Sequence, residues 1–241
     1  MPIPILMYHQ IDTPPARGTP MRGMVVSLKR FAAQMWLLKL LGYRGVSMGE
    51  LQPYLRGEKV GKVVGLTFDD GYLNTLDNAA PVLKKLGFSA TCYAVSQRLG
   101  GHNDWDAAMG VPQKPLMNAV QLRAWVAAGM EVGAHTRNHL DLTTLDDDTA
   151  REEVTRCKHE LEEASGADVR HFCYPYGRFN PSHMHFVREA GYQTATTTQR
   201  GRAAIHGDFF ALPRVLVAQA TLLPQFALKI LTRYEDQRGL K

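Results

Sequence analysis

Three short stretches of the 241-residue chain gather side chains able to hold a cation, move a proton or stabilise negative charge. The first is Thr67-Phe68-Asp69-Asp70-Gly71, placed where the apolar run Val63 to Phe68 ends. Side chains alternate across a strand, so adjacent acids at its frayed end point to different tasks, one toward a cation and one toward a substrate. Gly71 lets the chain turn sharply after them. Taken alone, the pair also suits a plainer job, because Asp ahead of a helix caps its N-terminus. The second stretch is His135-Thr136-Arg137-Asn138-His139, directly after Glu131-Val132-Gly133-Ala134. Two imidazoles four residues apart can converge on one cation, but zinc proteases carry Glu after the first His, and here Thr136 stands there. A polar loop is the plain alternative. The third is Phe172-Cys173-Tyr174-Pro175-Tyr176-Gly177, where Pro175 fixes the backbone and Gly177 permits a tight turn. Such a loop can present a backbone N–H, or it can be a β-to-α turn with aromatic packing.

Placing three such stretches together requires a scaffold that delivers strand ends to one face. Ile3 to Met7, Val63 to Phe68, Ala90 to Val95, Met130 to Ala134, Val169 to Tyr174, Gln193 to Thr198 and Leu212 to Val217 read as strands. Between them come helical patterns: Leu28 to Leu41, a helix ending Val82 to Gly87, Gln121 to Ala128, the charged Asp147 to Ala164 stopped near Gly166, Pro181 to Ala190, and a terminal helix from about Leu222. This rhythm predicts an α/β barrel of about seven or eight parallel strands, whose chemistry gathers where the strands end. No domain boundary interrupts residues 1–241, so one catalytic domain is expected. The Gly100 to Pro115 stretch is the longest loop and a candidate rim or lid.

Composition narrows the function classes. With 45% apolar and 21% charged residues the chain is a folded globular one, and a net charge of +5 spread over scattered Lys and Arg gives no phosphate-tracking surface. Nucleic acid is not an expected partner. Three cysteines, Cys92, Cys157 and Cys173, form neither a disulfide framework nor a four-thiolate zinc site. The first nine residues lack the basic start and apolar length of an export signal, and no stretch approaches the ~20 apolar residues of a membrane span. A cytoplasmic enzyme is therefore expected, unless a leader has been removed.

The motifs T-F-D-D-G at 67–71 and H-T-R-N-H at 135–139, in this order and separation, resemble those of the polysaccharide deacetylases, the carbohydrate esterase family that acts on chitin, chitooligosaccharides, peptidoglycan and poly-N-acetylglucosamine. The resemblance covers most of the chain and implies a distorted (β/α) barrel. It also implies that Asp69 is the general base, that Asp70, His135 and His139 hold a divalent cation, and that the Pro175-Tyr176 loop contacts the substrate, with the Tyr176 backbone N–H on the oxyanion. Leu6-Met7-Tyr8-His9 and Leu212-Pro213-Arg214-Val215 are similar to a bacterial branch that includes exopolysaccharide deacetylases. Two departures stand out. Cys173 occupies the position where the family often has the Arg that orients the base, so that partner is absent or supplied elsewhere. The late Leu-x-His motif that often supplies the acid is not evident, and His206 reads as a surface turn.

The implied reaction is metal-dependent hydrolysis of an N-acyl, expectedly N-acetyl, group on an amino sugar that is free, polymeric or lipid-linked. Zinc is the expected ion, because mixed imidazole and carboxylate ligation suits it. His9, emerging after the first strand, is the candidate acid; it is equally a candidate to orient Asp69 in place of the missing Arg, or a buried hydrogen-bonded His. Trp105 is a candidate sugar platform or an aromatic packed at the rim. Two rivals share the residues. Two His and one carboxylate also make the iron oxygenase triad, against which the β/α rhythm argues. A catalytically idle glycan-binding homologue is the other, favoured by Cys173 and the missing late His.

Overall fold

Val63-Val64-Gly65-Leu66-Thr67-Phe68 is buried at every position, as a strand covered on both faces must be. In the computed structural model, which describes residues 2–239, it is the fifth strand and pairs along both edges. In chain order the elements are β1 Ile5–Tyr8, β2 Gln10–Ile11, β3 Val25–Val26, α1 Leu28–Leu40, β4 Arg44–Val46, α2 Met48–Leu55, β5 Val63–Phe68, α3 Ala80–Leu86, β6 Thr91–Ala94, α4 Ala119–Ala127, β7 Glu131–Ala134, α5 Asp147–Ser165, β8 His171–Cys173, α6 Pro181–Glu189, β9 Thr194–Arg200, β10 Leu212–Leu216, α7 Leu223–Leu231 and α8 Tyr234–Gly239. The main sheet runs β1-β10-β9-β8-β7-β6-β5-β4, and β1 pairs with β5 in parallel register, Ile5 beside Gly65 and Tyr8 beside Phe68. That pairing closes seven parallel strands into a distorted (β/α) barrel. β4 is the eighth: Gly65 pairs with Ile5 on one side and Val46 on the other, while Thr67 pairs with Met7 and Thr91, so β4 and β6 share one edge of β5 in succession.

The helices form for readable reasons. Ser27 and Asp146 cap α1 and α5, Asn118 and Asn180 build capping boxes on α4 and α6, and Gly166 ends α5 at φ 70°. Between barrel and helices lies the larger core, including Phe31, Phe68, Trp125 and Phe172. A second core joins Ile5, Tyr93, Cys173 and Leu212 from four strands to Met48, Leu51 and Leu55 of α2. α2 sits where strands begin, since the Met48 N–H donates to Thr91 Oγ1 and the Gly49 N–H to Glu131. The barrel is thus plugged at that end and open where the strands finish. The Gly100 to Pro115 segment is not bare loop: Asp104–Met109 winds into a 3₁₀ turn, and bridges from Tyr72 to Leu116 and from His102 to Pro115 tie the segment down.

Candidate active site

At the open end, the chain leaves β5 through Asp69, whose N–H donates to Tyr8 O at 3.0 Å, and then enters the left-handed region at Asp70 (φ 75°) and Gly71. A side chain on Gly71 would press on Ala94 of β6. The His135 N–H continues the ladder from β7 onto Ala94 O at 2.9 Å, after which Thr136 (φ 63°) and His139 (φ 59°) fold the loop back. Thr136 Oγ1 accepts from the His139 N–H, and the buried Glu153 of α5 accepts from the Arg137 and Asn138 backbone N–H groups and the Asn138 side chain. At the end of β8, Tyr176 is also left-handed (φ 57°). Of the six non-glycine residues with positive φ among the described residues, these four and Met21 lie at this end of the barrel and His206 lies elsewhere, in an exposed turn. Strained backbone persists where surrounding structure holds side chains in place.

The result is a convergent donor set. Asp70 Oδ1 lies 3.5 Å from His135 Nε2 and 3.3 Å from His139 Nε2, and all three residues are buried. The His135 Nδ1–H donates to Cys173 O at 2.7 Å, a backbone anchor that leaves Nε2 facing the carboxylate. Burial works against the Asp70 charge, but His135 and His139 hold its carboxyl well below the usual range. One carboxylate and two imidazoles converging this closely fit a divalent cation, with positions left for ligands. Asp69, His135 and Cys173 also lie close, but Arg214 claims that group. Its guanidinium gives Asp69 two bonds of 2.7 and 2.8 Å, and reaches Thr67 Oγ1 (3.1 Å), Thr197 O (2.8 Å) and Cys173 Sγ (3.2 Å). Burial pushes the Asp69 carboxyl up, and Arg214 overrides this to hold it below its ordinary value.

A cavity of about 360 Å³ opens over this cluster, lined among others by His9, Asp69, Asp70, Trp105, His135 and His139, with Tyr176 at its wall. Seven of the eight residues singled out from the sequence therefore meet in one cavity; the eighth, Pro175, is buried and does not line it. His9 Nε2 stands 4.0 Å from Asp69 Oδ2, and its buried Nδ1 has no partner among the described residues. Trp105 lies flat on the imidazole of His139, centroids 4.4 Å apart and 17° between planes. Gly177 is demanded by its neighbour, because a Cβ would lie 2.5 Å from Thr198 N and closer still to the Thr198 hydroxyl. The residue the sequence reading missed as a functional one is Arg214. Its signal was a cation inside the apolar run Leu212 to Val217, on the same strand face as Leu212.

Comparison with known proteins fits this geometry. The sequence profile of the polysaccharide deacetylase family matches residues 56–195. A Bacillus subtilis protein, YxkH, whose name places it among polysaccharide deacetylases, is 30% identical over 218 residues, covering 90% of this chain and 71% of the relative. The poly-β-1,6-N-acetyl-D-glucosamine N-deacetylase of Staphylococcus epidermidis is 24% identical over 80% of this chain and 68% of its own. Among solved structures, the Streptococcus pyogenes deacetylase PplD in complex with acetate superposes with a TM-score of 0.83 at 26% identity, covering 96% of this chain and 99% of that one. The chain belongs to the polysaccharide deacetylase family.

Proposed function

We propose that residues 1–241 act as one catalytic unit, a metal-dependent hydrolase that removes an N-acyl group, N-acetyl in the first instance, from an amino sugar in a saccharide or saccharide precursor. The observation that carries this reading is the pairing of two acids with separate partners: Asp70 faces two imidazoles, while its neighbour Asp69 is held ionised by a buried Arg214. A ligand and a base are thereby distinguished within one dipeptide. Asp70, His135 and His139 would hold the divalent cation, for which zinc suits the donors, and the bound ion would polarise the amide carbonyl and acidify water. Asp69 accepts the proton of the attacking water, and Arg214 keeps that carboxylate oriented and charged before the reaction. Tyr176 offers its backbone N–H to the oxyanion. The departing amine needs a proton, and His9 is the donor: Arg214 already occupies both Asp69 oxygens, so the orienting role once open to His9 is taken.

The idle glycan-binding alternative drew on Cys173, and it weakens because Arg214 supplies from β10 the cation that Cys173 lacks. The name of the S. epidermidis relative supports N-acetylglucosamine polymers as first substrates, with Trp105 and Tyr176 lining the sugar's approach. A cytoplasmic saccharide precursor or lipid-linked sugar is our second substrate choice. The test is incubation of the purified chain with β-1,4- and β-1,6-linked N-acetylglucosamine oligomers, following acetate and primary amine. Equimolar release that requires a divalent cation and vanishes in Asp70→Ala supports the reading; no release from any N-acylated sugar overturns it.

A further inference from the structure

The outer faces of α1 and α7 are apolar where a water-facing helix is ordinarily polar. On α1, Leu28, Ala32, Trp36 and Leu40 recur at every fourth residue, with Trp36 51% and Leu40 84% exposed. On α7, Leu223, Leu228 and Leu231 are exposed, and Leu222 precedes them. The two helices lie side by side and run in the same sense. The Gln34 side chain, midway along α1, donates to Thr221 O just before α7, and Leu231 at the end of α7 shares a crevice with Tyr43 just past α1. Two neighbouring helices thus each expose an apolar face, and exposed apolar surface of this kind marks an interaction site.

The charge around it is one-sided. Neither residues 28–40 nor residues 222–231 contain Asp or Glu, whereas Lys29 and Lys39 are exposed beside the apolar stripe, Lys39 with its Nζ donating to Leu86 O at 3.1 Å. Elements packed on α1 add exposed Lys84 and Lys85 from α3 against one exposed acid, Asp77, while Arg44 of β4 is paired with Glu50 at 2.9 Å. At the foot of α7, the acids of α8 are occupied, Glu235 by Lys229 and Arg200 and Asp236 by Arg202. The surface also runs to the catalytic mouth. The Gln219 N–H donates to Gly23 O at 2.7 Å, which ties the segment before α7 to the rim, where Met21 and Met24 line the cavity.

We propose that this α1–α7 face is a docking surface for an anionic lipid bilayer, with Trp36 and the leucines entering the headgroup boundary and the lysines meeting the lipid phosphates. Leucine and tryptophan flanked mainly by basic side chains is the composition of helices that lie in a membrane interface. A protein surface would supply no general reason for acids to be missing from both helices. Docking this way holds the cavity mouth next to the bilayer without any helix crossing it; no helix among the described residues is long and apolar enough to cross.

The test is sedimentation of the full chain with vesicles of three parts phosphatidylcholine to one part phosphatidylglycerol, against pure phosphatidylcholine, with light scattering on the protein alone. The proposal expects a monomer that binds the anionic vesicles at least tenfold more strongly than the neutral ones, with a blue shift in tryptophan emission. Trp36→Gln/Leu40→Gln/Leu231→Gln should lower that binding at least tenfold while melting at the wild-type temperature. Lys29→Glu/Lys39→Glu should remove most of the preference for anionic vesicles, on the order of tenfold. Absence of vesicle binding, binding untouched by both variants, or a dimer that the triple variant dissociates would each overturn the proposal. None of these readouts depends on the deacylation reading.

Discussion

Replacing Arg214 by Met removes a buried guanidinium while leaving the carboxylate it neutralises. The side chains involved are 0% and 4% exposed, so Asp69 has no solvent to turn to. Five interactions go at once: two to Asp69 and one each to Thr67, Thr197 and Cys173. Breaking one partner of a buried ion pair costs about 3–5 kcal/mol, chiefly because the other charge stays buried and alone. For a chain of this size each kcal/mol moves the melting temperature by roughly 2–4 °C, so Arg214→Met should melt about 6–20 °C below wild type. Most of that loss is the abandoned charge, so Arg214→Met/Asp69→Asn should recover half or more of it. Calorimetry of the four proteins of this cycle, in the metal-loaded form, measures both quantities. Turnover of Arg214→Met should fall at least about a hundredfold through loss of an oriented base. A single variant melting within about 2 °C of wild type, or a double variant no better than the single, would refute the argument that Arg214 exists to neutralise and aim Asp69.

Three further expectations follow from particular contacts. Gly177 and Gly87 both sit at φ 69°, but only Gly177 has backbone within 2.5 Å of a new Cβ, so Gly177→Ala should cost at least about 2 kcal/mol more than Gly87→Ala in denaturant titrations. Glu131 accepts from Gly49 N and Thr91 Oγ1 and faces His171; burial raises its carboxyl, yet these partners lower it from 4.5 to about 2. A depressed carboxyl stabilises the fold above the unfolded value and loses that contribution as pH falls through the folded one. Glu131→Gln should therefore cost on the order of 3 kcal/mol at pH 7, with the gap closing between pH 4.5 and 2; a pH-independent gap contradicts the assignment. His9→Gln should keep its metal and lose most of its rate, whereas a rate within about twofold of wild type excludes His9 as the acid.

Strand ends carried most of what the sequence showed. Val63 to Phe68 was legible because a nearly unbroken apolar run matches its burial, Leu28 to Leu40 because the buried Phe31, Met35 and Leu38 recur at helical spacing, and the two acidic and histidine motifs because local order places them at those ends. β4 was not, since Arg44-Gly45-Val46 is three residues with a glycine at the centre. Nor was α2, whose Pro53 reads as a helix breaker; the helix survives with Ser47 as its cap and its buried face against β5. The two-residue pair of β2 and β3 has no period to read. Arg214 escaped because its partner lies 145 residues away, and only closure of the barrel brings β10 beside β1 and β1 beside β5. Non-local pairing of this kind leaves no mark in spacing.

The central claim is that Asp69 and Asp70, neighbours in sequence, divide base and ligand between them. Asp69→Asn measures it directly, with divalent metal content by elemental analysis and amine release from an N-acetylglucosamine oligomer read on the same preparation. The account predicts wild-type metal stoichiometry with turnover reduced at least about a hundredfold, since the substitution removes a proton acceptor and no ligand. Near-wild-type turnover, or loss of the metal together with the activity, would contradict it.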